Sequence, residues 1–498
     1  MSKQKLIKLK SNLRIQPLFS GFSMQLDHLH PVFSSPRLFI KDLPYISSNI
    51  EAFDRWYLKQ SNNFKTSYKE HKAFNKCWNI FLDNLATQKG FCLDLHYKNV
   101  PTKLNGIIEL FYTGLNKPSY KLNSLVYRND SIKNLHSIIL TDAEAIPNWH
   151  YWWGDVTSRF EIKRPLDHLS CTSLIDLILT PLDFNLAHEK LSMDMDREVL
   201  EFLTEDYNAK PTSKAAINDM EIDLLYINHA TIIFKRGDVS IVVDPLLNFF
   251  DKKNANNFYD YIPKKIDYVL ITHSHYDHID LPTLLTLRNR IGKILLPKSS
   301  EIDCDFSIRK TLEPYFPDRL IEIDSFDQLS LRSDLKITSL PFQGEHSDLI
   351  SSKATWLLSV AGKNLWFGAD CRSLDINLFK FIREKYGQID VMFVGTVSEG
   401  SPLSRSYPHL SKPLNKENDN SRTTRGAGHK EIYELIIALN PKSVYIYALG
   451  YEDWFKYFMG DPVHKYRDEF IKLKKMLDGK NKKLKNLRFL VGPQKINV

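Results

Sequence analysis

The chain has 498 residues, 43% of them hydrophobic and 25% charged, and carries a formal net charge of +8. That length exceeds one ordinary core, so two domains are expected, and no apolar run of about eighteen residues offers a membrane-spanning helix. Five scattered cysteines (Cys77, Cys92, Cys171, Cys304, Cys371) form no C-x-x-C pair, which argues against a disulfide framework and fits a reducing compartment. The basic opening, MSKQKLIKLK, is followed by no apolar stretch, so no signal peptide is read and a cytoplasmic location is expected. No nucleic-acid motif accompanies the basic residues, so neither nucleic acid nor membrane is an expected partner.

Residues 1–220 carry no metal-ligand spacing and read as a mixed α+β N-terminal domain. IEAFDRWYLKQ and HKAFNKCWNIFLDNL have helical periodicity. PNWHYWWGD is dense in aromatics, and its His150 reads as a packed histidine. The polar stretch NAKPTSKAAIND (208–219) reads as a linker.

Residues 221–498 change character. LLYINHATIIFK and VSIVVDPLL, separated by the turn Arg236-Gly-Asp238, read as an antiparallel pair. IDYVLITH predicts a buried strand, DLPTLLTLRNR a helix and KILLP another strand. KITSLPF, ATWLLSV and NLWFGAD predict three more. DVMFVGTV precedes a polar loop (398–428), the helix KEIYELIIALN and the strand SVYIYAL. Strand pairs followed by strand–helix alternation, occurring twice, predict an α/β fold with two sheets and helices outside, an αββα sandwich.

The segment His273-Ser-His275-Tyr-Asp277-His278 delivers four ligand-type side chains at the end of a buried strand. His273 and His275 alternate from one face, and Asp277 and His278 follow as the chain turns, an arrangement that serves two metal ions from one loop. Further candidates lie at other strand ends: Asp244 after VSIVV, Glu345 or His346 after KITSLPFQ, and Asp370 after NLWFG. Asp370 is placed to bridge two ions with its two oxygens.

These residues resemble the HxHxDH motif of the metallo-β-lactamase superfamily. The usual hydrolases of that superfamily place a histidine after the final strand, where this chain reads SVYIYALGYEDWF, and a second histidine where this chain offers Glu345. An oxygen-richer site with a vacant position suits iron and dioxygen better than a hydrolytic zinc pair. More narrowly, NHATIIFKRGDVSIVVDP, THSHYDHID, PFQGEHSDLISSKA, FGADC, GSPLS, NSRTTRG and VYIYALGYEDW resemble the diiron β-hydroxylases of nonribosomal peptide assembly, of the chloramphenicol-pathway type.

The resemblance implies that His273, His275 and Glu345 hold one iron, that Asp277 and His278 hold the other, and that Asp370 bridges them. It implies O2 as cosubstrate, an electron-donating reductase and an amino acid held as a thioester on a peptidyl carrier protein. The N-terminal domain would then cap the site, hold the carrier or form a homodimer. That family carries a glutamate at the position of Val397. Here the carboxylate is Glu399, two residues on, which shares the same face if the strand continues.

Arg422 and His429 are candidates for supporting roles, His429 either as a replacement ligand or as a helix cap. Tyr447 occupies the region where the hydrolases have their last histidine, and reads either as lining the open position or as core. His229 reads as structural. Lys472, Lys474, Lys475, Lys480, Lys482, Lys483 and Lys485 form either a solvated face or a docking surface for an acidic carrier. The competing function is a dinuclear zinc hydrolase (lactonase, thioesterase or phosphodiesterase), because THSHYDHID also resembles the motif of the N-acyl-phosphatidylethanolamine phospholipase D group.

Overall fold

The computed structural model describes residues 5–10, 13–18, 62–87, 92–106, 108–123, 137–142, 159–162, 164, 167–207, 221–247, 258–275, 277–299, 307–313, 315–344, 352–397, 399–400, 425–450, 466–478 and 483–498. The segments IEAFDRWYLKQ, PNWHYWWGD with His150, and NAKPTSKAAIND lie outside them.

From Asp223 onward the apolar runs assemble into two seven-stranded sheets. The first has the spatial order Leu320–Ile323, Ile291–Pro297, Ile266–Leu270, Val239–Val243, Thr231–Arg236, Asp223–Asn228, Gln494–Ile496. Its first four strands are mutually parallel and the rest antiparallel. The second sheet runs Gln328–Arg332, Leu335–Pro341, Ala354–Val360, Lys363–Phe367, Val391–Gly395, Ser443–Tyr447, Asn486–Phe489. It begins antiparallel and ends with its last four strands parallel.

Parallel neighbours need crossovers, and the crossover helices cover the outer faces. Strands such as VMFVG are therefore apolar at every position. Val391 and Phe393 enter the core between the sheets, while Met392 and Val394 face the outer helices. The inter-sheet core includes Tyr226, Phe234, Trp356, Phe367 and Phe393, with Phe367, Phe393 and Tyr445 stacked at centroid distances of 5.3 and 5.4 Å. Helices Ile376–Tyr386, His429–Leu439 and Tyr466–Leu477 cover the second sheet. The first of these is started by the Asp375 side chain accepting from the Asn377 amide, and it stops at Gly387, whose φ of 88° suits glycine.

The outer face of the first sheet is covered partly from the N-terminal half. Cys171, Leu174 and Leu177 of helix Leu169–Leu179 and Leu200 of helix Arg197–Leu203 share one core with Val242, Val269 and Ile294. Arg290 Nη2 donates to the Leu179 carbonyl at 2.9 Å across this junction. Elsewhere in the N-terminal half, Trp78 and Phe81 of helix Asn62–Thr87 pack with Tyr120 of the hairpin Ile108–Tyr112/Pro118–Leu122. HKAFNKCWNIFLDNL lies inside that helix. No helix among the described residues is long and apolar enough to cross a membrane.

Two elements differ from the sequence reading. LLYINHATIIFK is itself a hairpin, split at His229–Ala230, because His229 adopts a left-handed φ of 48° that no strand continues through. The helix after Asp280 spans only Leu281–Thr286, and the rest of DLPTLLTLRNR turns into the next strand.

Candidate metal centre

The parallel strands of both sheets end along one edge, and the ligand-type residues sit just past those ends. Beyond strand Ile266–Leu270 the chain stays extended to His273, which bridges to Lys353. It then turns tightly, the amides of His278 and Ile279 both donating to the His275 carbonyl at 3.0 and 2.8 Å. That turn brings His273, His275, Asp277 and His278 together, all buried. From the second sheet, Asp370 follows strand Lys363–Phe367. Its Oδ2 lies 3.2 Å from His278 Nε2 and 3.7 Å from His273 Nε2.

The backbone at this edge is unusual. Four non-glycine residues, His229, Asp244, Ala369 and Ala448, hold φ of 48°, 40°, 45° and 46°. Each is a sparsely populated conformation that persists only where its surroundings impose it. Asp244 is locked by its amide donating to the Leu270 carbonyl at 2.9 Å and by Thr231 Oγ1 donating to its carbonyl at 2.8 Å. Its carboxylate then accepts from the Thr272 amide (2.8 Å), Thr272 Oγ1 (2.6 Å) and His278 Nδ1 (2.8 Å). With Nδ1–H committed to Asp244, the imidazole of His278 offers Nε2 to a cation.

Ala369 is held by Tyr447, whose hydroxyl accepts its amide at 3.0 Å. Gly395 lies against the same turn: a Cβ there would sit 2.8 Å from Asp370 Oδ1. His229 Nε2 is 3.1 Å from Asp277 Oδ2. Neither Thr272 nor His229 stood out as a site residue in the sequence. The signal for His229 is a bulky imidazole in a two-residue hairpin loop where glycine or asparagine is the ordinary choice.

Burial holds the His275 imidazole down to about 4 against the pull of Asp277 and Asp370, so it is neutral and able to ligate. Burial also opposes charging of His278, yet Asp370 and Asp277, with the hydrogen bond to Asp244, hold its pKa well above the ordinary histidine value. Burial raises the Asp244 carboxyl, with His278 and Thr272 opposing. Burial likewise works against ionised Asp277, but His278, His229 and His275 hold its carboxyl below the usual range. Asp277 Oδ1 and Asp370 Oδ1 are buried and make no hydrogen bond among the described residues. Two groupings, His273/His278/Asp370 and His229/Asp277/His278, each bring their ligand-type atoms within 4.8 Å of one another. Imidazoles plus carboxylates with oxygens to spare fit two divalent transition-metal ions.

Glu345, His346 and Arg422 lie outside the described residues. Val397 packs beside Gly426, its Cβ 3.4 Å from where a Cβ on Gly426 would lie, and Gly426 adjoins Asp370. Glu399 is half-buried a little further along. Tyr447 is fully buried between the sheets and supports the turn carrying Asp370. His429 is directed to Glu469, which accepts from both its Nδ1 (2.6 Å) and its amide (2.9 Å), so it serves the helix start. Cys371 is a buried thiol pushed up to about 12, chiefly by burial.

Comparison with known proteins places this architecture. The Beta-lactamase superfamily domain matches residues 240–418. The crystal structure of CmlA, a diiron β-hydroxylase from Streptomyces venezuelae, superposes over 100% of both chains with a TM-score of 0.75 at 22% identity. The chain has the metallo-β-lactamase fold. Among characterised sequences, a 3-hydroxylase of 4-amino-L-phenylalanyl-CmlP peptidyl carrier protein from Streptomyces venezuelae is 28% identical over 422 residues, 81% of this chain and 78% of that protein. A metal-dependent hydrolase of Exiguobacterium is 34% identical over only 59 residues, 12% of this chain and 25% of that protein. Likeness to the hydroxylase therefore extends well beyond the metallo-β-lactamase fold itself, whereas likeness to the hydrolase is local.

Proposed function

We propose that this protein is an O2-dependent diiron monooxygenase that hydroxylates the β-carbon of an amino acid tethered as a thioester to a peptidyl carrier protein. One observation carries the reading: similarity to a hydroxylase of a carrier-bound amino acid spans 81% of the chain, and so reaches beyond the metal domain into the N-terminal half. His273, His275 and Glu345 would hold one iron, Asp277 and His278 the other, with Asp370 between them. A diiron pair held there would supply the O2 chemistry, in which two external electrons and two protons are consumed as one oxygen atom enters a C–H bond and the other leaves as water.

The chain's own residues do the rest. Asp244 aims His278 Nε2, Tyr447 steadies the turn of Asp370, and His273, His275, Asp277 and His278 are all buried. Electrons require a reductase partner, and no dinucleotide-binding G-x-G-x-x-G is present in the sequence. Lys474, Lys475, Lys483 and Lys485 are exposed and suited to an acidic carrier, whereas Lys472 pairs with Glu469 at 3.1 Å. Lys480 and Lys482 lie outside the described residues.

Metal analysis of the purified protein, with optical spectra before and after reduction, tests this. The expected result is about two irons per chain, near-ultraviolet bands that bleach on reduction, and gain of one oxygen atom by a carrier-bound amino acid. Two zincs, a featureless spectrum and ester or phosphodiester cleavage would instead establish a hydrolase.

A further inference from the structure

His229 occupies the first position of the two-residue loop between strands Asp223–Asn228 and Thr231–Arg236. Its φ of 48° is one that glycine adopts freely and that strains residues carrying a Cβ. A purely architectural turn would be better served by glycine or asparagine. The turn is also anchored from the other sheet: the Ala448 amide donates to the His229 carbonyl at 2.9 Å. The backbone is thus pinned between the sheets while the side chain, 1% exposed, reaches into the ligand cluster. There Nε2 meets Asp277 Oδ2 at 3.1 Å, and the ring packs edge-on to His278 at a centroid distance of 5.4 Å.

We infer that His229 is a positioning residue for the second metal: its Nε2–H holds Asp277 Oδ2, so that Asp277 presents only Oδ1 to the ion. Asp277 Oδ1 is the buried oxygen with no hydrogen-bond partner among the described residues. The carboxylate would then offer a single oxygen, in a set direction, to an ion bound there. Histidine serves here because its reach from a left-handed turn spans the gap to Asp277 and its ring withstands full burial. This inference rests on reading the cluster as a metal centre and is independent of which reaction follows.

The test uses full-length protein stripped of metal and titrated with cobalt(II) alone, comparing wild type with His229→Gly and His229→Asn. Both replacements tolerate the left-handed turn, and neither reaches Asp277. Both variants are expected to fold, to fill one cobalt site as wild type does, and to bind the second about 10- to 100-fold more weakly. At saturation their visible ligand-field spectra should match wild type, since no ligand has been removed. Wild-type affinity at both sites would overturn the inference and leave His229 a turn residue, as would unfolding of both variants. An altered spectrum at saturation would overturn it in the other direction, making His229 itself a ligand. Failure of wild type to take up cobalt would remove the metal-centre reading, and this inference with it.

Discussion

At the scale of single residues, Asp244 decides which nitrogen of His278 faces the centre. Replacing Asp244 with asparagine keeps a residue that tolerates φ of 40° but places an N–H donor within reach of His278 Nδ1. The imidazole then carries its proton on Nε2, the wrong nitrogen for a ligand. Asp244→Asn should fold and bind metal about 10- to 100-fold more weakly, read by competition with a chelator. Retained affinity would show that the imidazole is oriented by something else. Gly395→Ala makes a second test, because its methyl would press on Asp370 Oδ1 from 2.8 Å. It should cost about 1–3 kcal/mol in denaturant unfolding and release metal, with the secondary structure intact.

His278 also sets a pH dependence. A histidine whose pKa is raised on folding stabilises the fold below its unfolded value of about 6.5, and that contribution disappears as pH rises through the folded value. Metal-free protein should therefore lose thermal stability as pH rises above the unfolded histidine value of about 6.5 and through the higher folded value, while metal-loaded protein should hold its melting temperature. Parallel melting curves for the two forms would contradict this. The cluster of His273, His275, Asp277 and His278 was legible in the sequence because the four fall within six residues at a strand end. Asp370 and Asp244 were legible because apolar runs stop at them. The supporting contacts were not. Whether Tyr447 lines a pocket or props up Ala369 depends on which way a buried ring points, and no pattern along one strand encodes that.

At the scale of elements, the start of helix His429–Leu439 is tied to the Asp370 segment by a knot of charge. Glu431 accepts from Arg372 Nε and Nη2 at 2.8 and 2.7 Å, from the Gly428 amide at 2.8 Å and from Arg425. Burial opposes ionisation, but the Gly428 amide, Arg425 and Arg372 hold the Glu431 carboxyl below the ordinary glutamate range. A lowered carboxylate pKa gives stability that is present above the ordinary range and is lost as pH falls through the folded value. Glu431→Gln should cost about 1–3 kcal/mol at neutral pH and flatten the acid side of the stability profile. An unchanged acid limb would mean that other carboxylates set it. Most strands were readable because both faces of the parallel ones are buried, giving unbroken apolar runs. Gln494–Ile496, with its QKI sequence, was not readable, because its place comes from pairing with Asp223–Asn228. Likewise the length of Leu281–Thr286 reflects where the next strand must begin, which local propensity does not carry.

At the scale of the whole molecule, a boundary near residue 220 suits the polar composition there but does not coincide with a break in packing. Leu174, Leu177 and Leu200 are fully buried in the core that also holds Val242 and Val269. A fragment of residues 221–498 would expose that apolar face, so it should appear in the insoluble fraction under conditions where the full chain is soluble. A soluble fragment with an unchanged melting temperature would establish the metal domain as autonomous. The same covering layer explains why the N-terminal half resisted interpretation by sequence. Helices Leu169–Leu179 and Arg197–Leu203 follow the shape of a sheet encoded further along the chain.

The strand Gln494–Ile496 hydrogen-bonds to Asp223–Asn228, the strand that opens the metal domain. In synthesis, this outermost strand of the first sheet emerges from the ribosome after every other described strand of both sheets. Until then the growing chain carries an open, apolar sheet edge. Such an edge can recruit a neighbouring nascent chain on the same messenger, so production of this protein should respond strongly to translation rate and to chaperone supply. A tag appended at Val498 would sit directly beside the last strand to dock.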